Sequence, residues 1–388
     1  MTEKIAPEAS SVKPFAGVVV VELGSSVAAP FAGQILGELG AEVVKIEKSE
    51  GDDARKWGPP FWEGAGAFFQ ALNRNKNSVV CELNDPEQVG VLRRFIDERA
   101  DIVIQNLRPG HVEKLGLDAA SLMARKPSLI YCNLGAFGRE GPLKDRPGYD
   151  PLMQAFGGIM STTGELGRPS VRVGASIVDM GTGMWAVIGA LAALYERQAT
   201  GRGRIVDVSL FETASCWVSL LASQFLASGK LAGKQGSGAP GIVPYKAYAT
   251  RDGEMVVAAG SEALFRSLAD ALGHPEWPED KRYSDNPSRV AHQHILYPMI
   301  DAIMADQTTA YWITRLEAAG VPCSPVNDLA QMLAHPQTEA LGLIQAVPGT
   351  GMRFISLPLS LDGERPRPRS APPSLGQHSA MLHERTHT

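Results

Sequence analysis

Cysteine is scarce in this 388-residue chain, and Cys81, Cys132, Cys216 and Cys323 lie far apart with no C-x-x-C spacing. That pattern excludes a disulfide framework and the common zinc sites, and points to buried free thiols in a reducing compartment. No basic block or aromatic-interleaved stripe occurs and the net charge is only -5, which argues against sequence-independent nucleic-acid binding. Long hydrophobic runs are missing too. The most apolar helical stretch, residues 184–194, contains Gly189 and is too short to span a bilayer. The first 14 residues have no signal-peptide core, so a cytoplasmic enzyme is expected. There is no Walker loop, no G-x-S-x-G elbow and no glycine triplet in the first βα turn.

Two strings imitate motifs but fail in context. Gly236-Ser237-Gly238-Ala239-Pro240-Gly241 has no strand leading into it, and Pro240 would break the helix that should follow. Glu47 closes the second strand, where a dinucleotide fold places its ribose-binding acid, but without upstream glycines it does not imply a nicotinamide cofactor. His383-Glu384-Arg385-Thr386-His387 ends one residue before the terminus, where a helix frays and no third ligand can follow. No metal is expected. His292 and His294 fit a solvated helix end better than a metal site.

The chain does have a soluble protein's balance, 44% apolar and 20% charged, with length enough for two domains. Strand-like runs at 18–23, 41–46, 78–83, 101–105, 128–133 and 204–210 alternate with helical patterns at 30–39, 86–99 and 119–125. That alternation predicts an α/β fold: a Rossmann-like open parallel sheet covered by helices. After a helix over 211–226, a Gly/Ser/Lys-rich stretch (229–241) leads to a strand at 254–258 and helices at 263–272, 291–304 and 308–319. The expected division is a large domain over residues 1–225, a smaller α+β domain over 226–324, and a segment 325–388 returning to the large domain. Residues 321–326 read as the return crossing, followed by a helix at 327–333, strands within 343–361 and an extended Pro/Arg-rich tail.

One aspartate carries the chemistry. Asp179 follows an apolar run at 173–178 that reads as a strand, and precedes Gly181-Thr182-Gly183 and a helix over 184–195. A carboxylate at such a junction, with glycines beside it, can face a substrate closely and attack a carbonyl. The amides at 181–183 are then expected to hold the oxyanion. The plain alternative is a helix cap. Cations gather near strand ends at Lys45 and Lys48, at Asn73-Arg74-Asn75-Lys76-Asn77, and at Asn106-Leu107-Arg108 with Lys114 beyond. They suit a phosphorylated ligand, or they are ordinary solvated loop charges.

Several segments, in order, resemble class III coenzyme A transferases, the family of formyl-CoA and carnitine CoA-transferases. They are Gly37-Glu38-Leu39-Gly40-Ala41-Glu42, Leu72-Asn73-Arg74-Asn75-Lys76, Asn106-Leu107-Arg108-Pro109-Gly110, Gly148-Tyr149-Asp150, Thr200-Gly201-Arg202-Gly203 and Leu375-Gly376-Gln377-His378. The resemblance implies Asp179 as the catalytic residue. It implies CoA contacts at Val27, Ala28, Lys48, Leu72, Asn75, Lys76, Asn106, Leu107, Lys114 and Phe137. It also implies an interlocked homodimer, acyl-CoA and carboxylic acid substrates, and no tightly bound cofactor.

Val27 stands where a formyl-CoA transferase carries a glutamine, which disfavours formyl and oxalyl groups and leaves larger acids such as succinyl, mesaconyl or itaconyl. The α-methylacyl-CoA racemases of the same superfamily need a histidine where this chain has Tyr149, a poor base at neutral pH. A silent CoA-binding protein would not need Asp179.

Overall fold

The computed structural model describes residues 12–383; residues 1–11 and 384–388, including His387 of the H-E-x-x-H string, lie outside them. The chain divides into two units, one of Met1–Gly158, Val173–Ser219 and Pro336–Thr388, the other of Ile159–Arg172 and Leu220–His335.

The first unit opens with β1 (Val19–Leu23), α1 (Ala28–Glu38) and β2 (Glu42–Glu47). A short hairpin of β3 (Phe61–Trp62) and β4 (Ala65–Gly66) precedes α2 (Ala67–Asn73) and β5 (Lys76–Val80). Then follow α3 (Pro86–Arg99), β6 (Ile102–Gln105), α4 (His111–Lys114), α5 (Ala119–Arg125), β7 (Ile130–Gly135) and α6 (Asp150–Phe156). After the excursion that begins with α7 (Ile159–Thr162), the unit resumes with α8 (Ile177–Thr200), β8 (Ile205–Ser209) and α9 (Leu210–Trp217).

Six strands form one wholly parallel sheet in the order β5-β2-β1-β6-β7-β8. Val20, Val21, Val43, Val44, Ile102 and Val103 have no exposed surface, as expected where helices cover both faces. Asp85 caps α3 and Asp118 caps α5, each accepting from amides of the first turn. The free edge of β5 is closed by the C-terminal tail. His378 N–H donates to the Ser78 carbonyl, and the Val80 amide donates to Ser379 Oγ.

Residues 173–178 are not a strand. The segment pairs with no strand of the sheet; Gln154 holds its Val173 main chain instead, and α8 begins at Ile177. At 24 residues, α8 is also longer than expected, and by length and composition it could cross a membrane. Its buried stripe of Val178, Gly181, Thr182, Gly183, Ala186, Val187, Ala190 and Ala193 packs on α1, β7 and α9 as a core helix. The expected helix at 211–226 breaks at Val218, where α9 ends and α10 (Ser219–Ser228) begins.

The second unit has an antiparallel sheet of β9 (Tyr245–Ala249), β10 (Glu254–Ala258) and β11 (Cys323–Pro325), with β10 central. Helices α11 (Glu262–Leu272), α12 (Asn286–Ala291), α13 (Gln293–Ala305) and α14 (Thr309–Ala318) accompany it, over a core that includes Phe265, Leu296, Ile300 and Trp312. The segment expected as the return crossing is therefore β11, and the chain leaves this unit only at His335. The excursion 159–172 was also not foreseen: Gly236 N–H donates to the Gly164 carbonyl, and Lys234 Nζ to that of Arg168.

Candidate active site

Asp179 is the third residue of α8. Helix starts expose amides that need acceptors, and here each has one. Ile177 donates to the Ala175 carbonyl and Met180 to that of Ser176. Val178 and Asp179 both donate to Asp150 Oδ2, at 2.8 and 3.3 Å. Asp150 is the cap and Asp179 is not. The half-buried Asp179 carboxylate accepts no hydrogen bond from any described residue. Burial foremost, and the negative charge of Asp150 second, push its carboxyl up to about 7.

The glycines beside it do something other than expected. Gly181 and Gly183 lie inside α8, so their amides bond to carbonyls four residues back and are not available as oxyanion donors. Their value is close packing. A Cβ on Gly183 would sit 2.6 Å from the Ala28 carbonyl oxygen, and one on Gly181 would meet Thr213 and Trp217 at 2.9 Å. Asp179 is thereby held within about one helical turn of a contact with Ala28.

Val27 and Ala28 form the start of α1, and Val27 packs with Leu72 and Phe31 in one small buried cluster. Asn106 staples the preceding loop from across the sheet. Its Oδ1 accepts from Ser25 N–H at 3.0 Å, and its Nδ2 donates to the Ser25 carbonyl at 2.9 Å. Leu107 follows, its amide held by Gln105 Oε1. Val27, Ala28, Leu72, Asn106 and Asp179 are thus drawn into one neighbourhood at the carboxyl ends of β1 and β6, where open parallel sheets place their ligands. Lys48 is exposed just past β2 and paired with Asp53 at 2.9 Å; Lys114 is exposed at the end of α4. Phe137 meets Phe156 edge-on at 5.2 Å, and Phe156 meets Phe211 at the same distance.

The other cations are turned inward, which corrects their reading as loop charges. Asn75 and Lys76 sit at the amino end of β5, not at a carboxyl end. Lys76 Nζ donates to Glu22 Oε2, the Pro30 carbonyl and Asn73 Oδ1 at 2.7 to 3.0 Å, and so has no place for a phosphate. Burial pushes its amine down to about 8. Lys45 is equally buried; its burial is outweighed by Glu22 and Asp52, which hold it charged. Arg74 pairs inside with Glu38. Asn75 Oδ1 accepts from the amides of Arg369 and Ser370, so it anchors the tail. Of the thiols, Cys81 and Cys132 are buried as expected, but Cys216 is exposed and Cys323 half-buried.

Two residues of the site went unrecognised in the sequence: Asp150 as the cap of α8, and the fully buried Gln154, whose Nε2 donates to Asp150 Oδ1 at 2.6 Å. An Asp-Pro pair opening a helix with glutamine one turn on was the only local signal.

A family model described as CoA-transferase family III matches residues 15–379. The chain belongs to that family. It is 35% identical to a succinate–glutarate CoA-transferase of Agrobacterium fabrum over 95% of this chain and 94% of that one. It is 33% identical to a succinyl-CoA:glutarate CoA-transferase of Mus musculus, over 97% and 87% of the two chains. A crystal structure of a CAIB/BAIF family protein from Brucella suis superposes with a TM-score of 0.86 at 36% identity, covering 96% of this chain and 98% of that one. This family III enzyme is therefore a CoA-transferase, working on CoA thioesters and carboxylic acids.

Proposed function

We propose that the enzyme moves CoA from succinyl-CoA, or a closely similar dicarboxylic acyl-CoA, to a free dicarboxylate of about the length of glutarate. Asp179 is the covalent carrier. The observation that carries this reading is the carboxylate itself: half-buried, undonated, raised toward neutrality and fixed beside the Val27–Ala28 turn. The acids named for the succinate–glutarate relatives support the substrate class.

Ionised Asp179 attacks the thioester carbonyl, giving an aspartyl–acyl anhydride and CoA thiolate. Thiolate attack on the aspartyl carbonyl frees the donor acid and leaves an aspartyl-CoA thioester. The acceptor carboxylate attacks that thioester, forming a second anhydride and expelling thiolate. The thiolate then takes the acceptor's carbonyl, releasing the new acyl-CoA and the Asp179 carboxylate. Each step exchanges one activated carboxyl for another.

Val27, Ala28, Leu72, Asn106, Leu107 and Phe137 line the CoA path in this reading, with Lys48 and Lys114 reaching the phosphates from the surface. A second copy of the chain, interlocked with the first, covers the apolar residues that α8 leaves exposed, among them Met184, Trp185, Ile188 and Tyr195.

Incubation with succinyl-CoA followed by hydroxylamine should place a hydroxamate on Asp179, resolved by peptide mass spectrometry. Verified turnover with Asp179 unmodified would sink the covalent reading.

A further inference from the structure

The start of α8 is built by residues outside it. Asp150 is buried at the head of α6, and its Oδ2 accepts from the amides of Val178 and Asp179. Its Oδ1 accepts from Gln154 Nε2 at 2.6 Å. Gln154 also grips the main chain of Val173: its Oε1 accepts that residue's N–H at 2.8 Å, and its Nε2 lies 3.4 Å from the carbonyl oxygen. One glutamine thus fixes both the orientation of Asp150 and the point where the chain resumes the large unit, four residues before α8. Amides at a helix start are natural donors to a carboxylate in the first turn. Here they are already taken.

We propose that Asp150, held by Gln154, is a positioning residue for the nucleophile: its carboxylate occupies the helix amides, leaving Asp179 without donors and its oxygens free for the thioester carbonyl. The proposal rests on the reading of Asp179 as covalent carrier. Donors to Asp179 would stabilise the free anion more than the neutral anhydride it becomes, and so would slow the attack. The charge of Asp150 acts the same way, second to burial, on the protonation of Asp179. Other charged or titratable groups on elements packed against α8 are Glu38 on α1, Tyr131 and Cys132 on β7, Asp207 on β8, and Glu212 and Cys216 on α9, with Tyr195, Glu196 and Arg197 at the far end of α8 itself. None of them contributes to that shift.

The test reads Asp179 without relying on turnover. A water-soluble carbodiimide with an amine labels protonated carboxyls, and peptide mass spectrometry resolves the label at Asp179. In the wild type, labelling should fall away as pH rises through about 7. Asp150→Asn keeps an acceptor for the amides but loses the charge, and its fall-off should move down by about half a unit to one unit. Gln154→Met releases Asp150 from the amides and should move the fall-off in the same direction, which keeps the test open if Asp150→Asn fails to fold. Asp150→Glu, which keeps the charge, should stay near the wild type. An unmoved fall-off in both neutral variants, or a shift in Asp150→Glu as large as in Asp150→Asn, overturns the proposal. Hydroxylamine trapping in parallel separates the failures. A trapped Asp179 with an unmoved titration removes only the role of Asp150, whereas no trapping in the wild type removes the covalent reading beneath it.

Discussion

Asp150 and Asp179 share the start of one helix but not its hydrogen bonds: Asp150 Oδ2 takes the amides of Val178 and Asp179, and the Asp179 carboxylate takes none. Two neighbouring carboxylates are thereby set apart by the supply of donors, and burial raises Asp179 further. The one that takes the amides caps the helix. The one left bare is available for chemistry.

The pH dependence follows from that difference. In the proposed mechanism the reactive form of Asp179 is the anion, and its carboxyl is raised to about 7. Below that value kcat/KM for CoA transfer should fall about tenfold per pH unit, and above it should level off. Initial rates between about pH 5 and about pH 9 check this. A limb set by an ordinary carboxylate, near 4, would contradict it.

The same shift has a cost in stability. A carboxyl whose folded value lies above its unfolded value binds more protons when folded, so stability is lost as pH rises from the unfolded value of 3.8 through about 7. Replacing Asp179 with asparagine should therefore stabilise the protein by roughly 1–3 kcal/mol near pH 8 and by little near pH 4. Urea unfolding at the two pH values measures the difference. In the same variant CoA exchange should drop on the order of a thousandfold or more.

Lys76 separates a structural cation from a binding one. Removing its amine leaves the Pro30 carbonyl and Asn73 Oδ1 without their donor, while Glu22 keeps Lys45. Lys76→Met should lower stability by about 1–3 kcal/mol, and leave the KM for acyl-CoA within about twofold. A large rise in KM with an unchanged Tm would place Lys76 at the ligand after all.

The centre of the sheet was legible because β1, β2 and β6 are short runs rich in Val, Ile and Leu and buried on both faces, and periodicity finds those without any partner in view. Helices with a capping Asp, such as α3 and α5, were found to the residue for the same local reason. What escaped were the pairings. Lys45 and Lys76 resemble loop cations until Glu22, 23 and 54 residues away, is folded against them. Residues 173–178 resemble a strand until Gln154, 19 residues earlier, is seen to hold the Val173 main chain in place of a neighbouring strand. Asp179 was singled out by its place before a helix and by family resemblance, but the partner that takes its amide, Asp150, lies 29 residues earlier.

Asn106 tests whether the first βα turn must be held from across the sheet. Its amide makes both bonds to Ser25, two residues before Val27, and no other side chain among the described residues bonds the Ser25 main chain. Asn106→Ala should free that loop and raise the KM for acyl-CoA by about tenfold, with a smaller fall in kcat, as expected if the turn binds substrate and transition state alike. Steady-state kinetics on the folded variant decide it. An unchanged KM would remove this turn from the CoA path.

Glycine at 183 is required by packing, and this can be checked against a neighbour. A Cβ there would lie 2.6 Å from the Ala28 carbonyl oxygen, 3.2 Å from the Ala32 amide nitrogen and 3.2 Å from the Phe31 ring. Two of those are backbone atoms of α1, so the helices must move apart, at about 1–3 kcal/mol. The added Cβ gains up to about 1 kcal/mol of helix propensity, too little to offset the clash. Because Asp179 lies one turn away on α8 and Val27 precedes α1, the displacement separates Asp179 from the turn proposed to hold CoA. Gly183→Ala should therefore lower kcat/KM more than ten-fold as well as Tm. Gly174→Ala, where nothing lies within 4 Å of the new Cβ, should leave both nearly unchanged. Equal behaviour of the two variants would show that the contact between α8 and α1 does not set the position of Asp179.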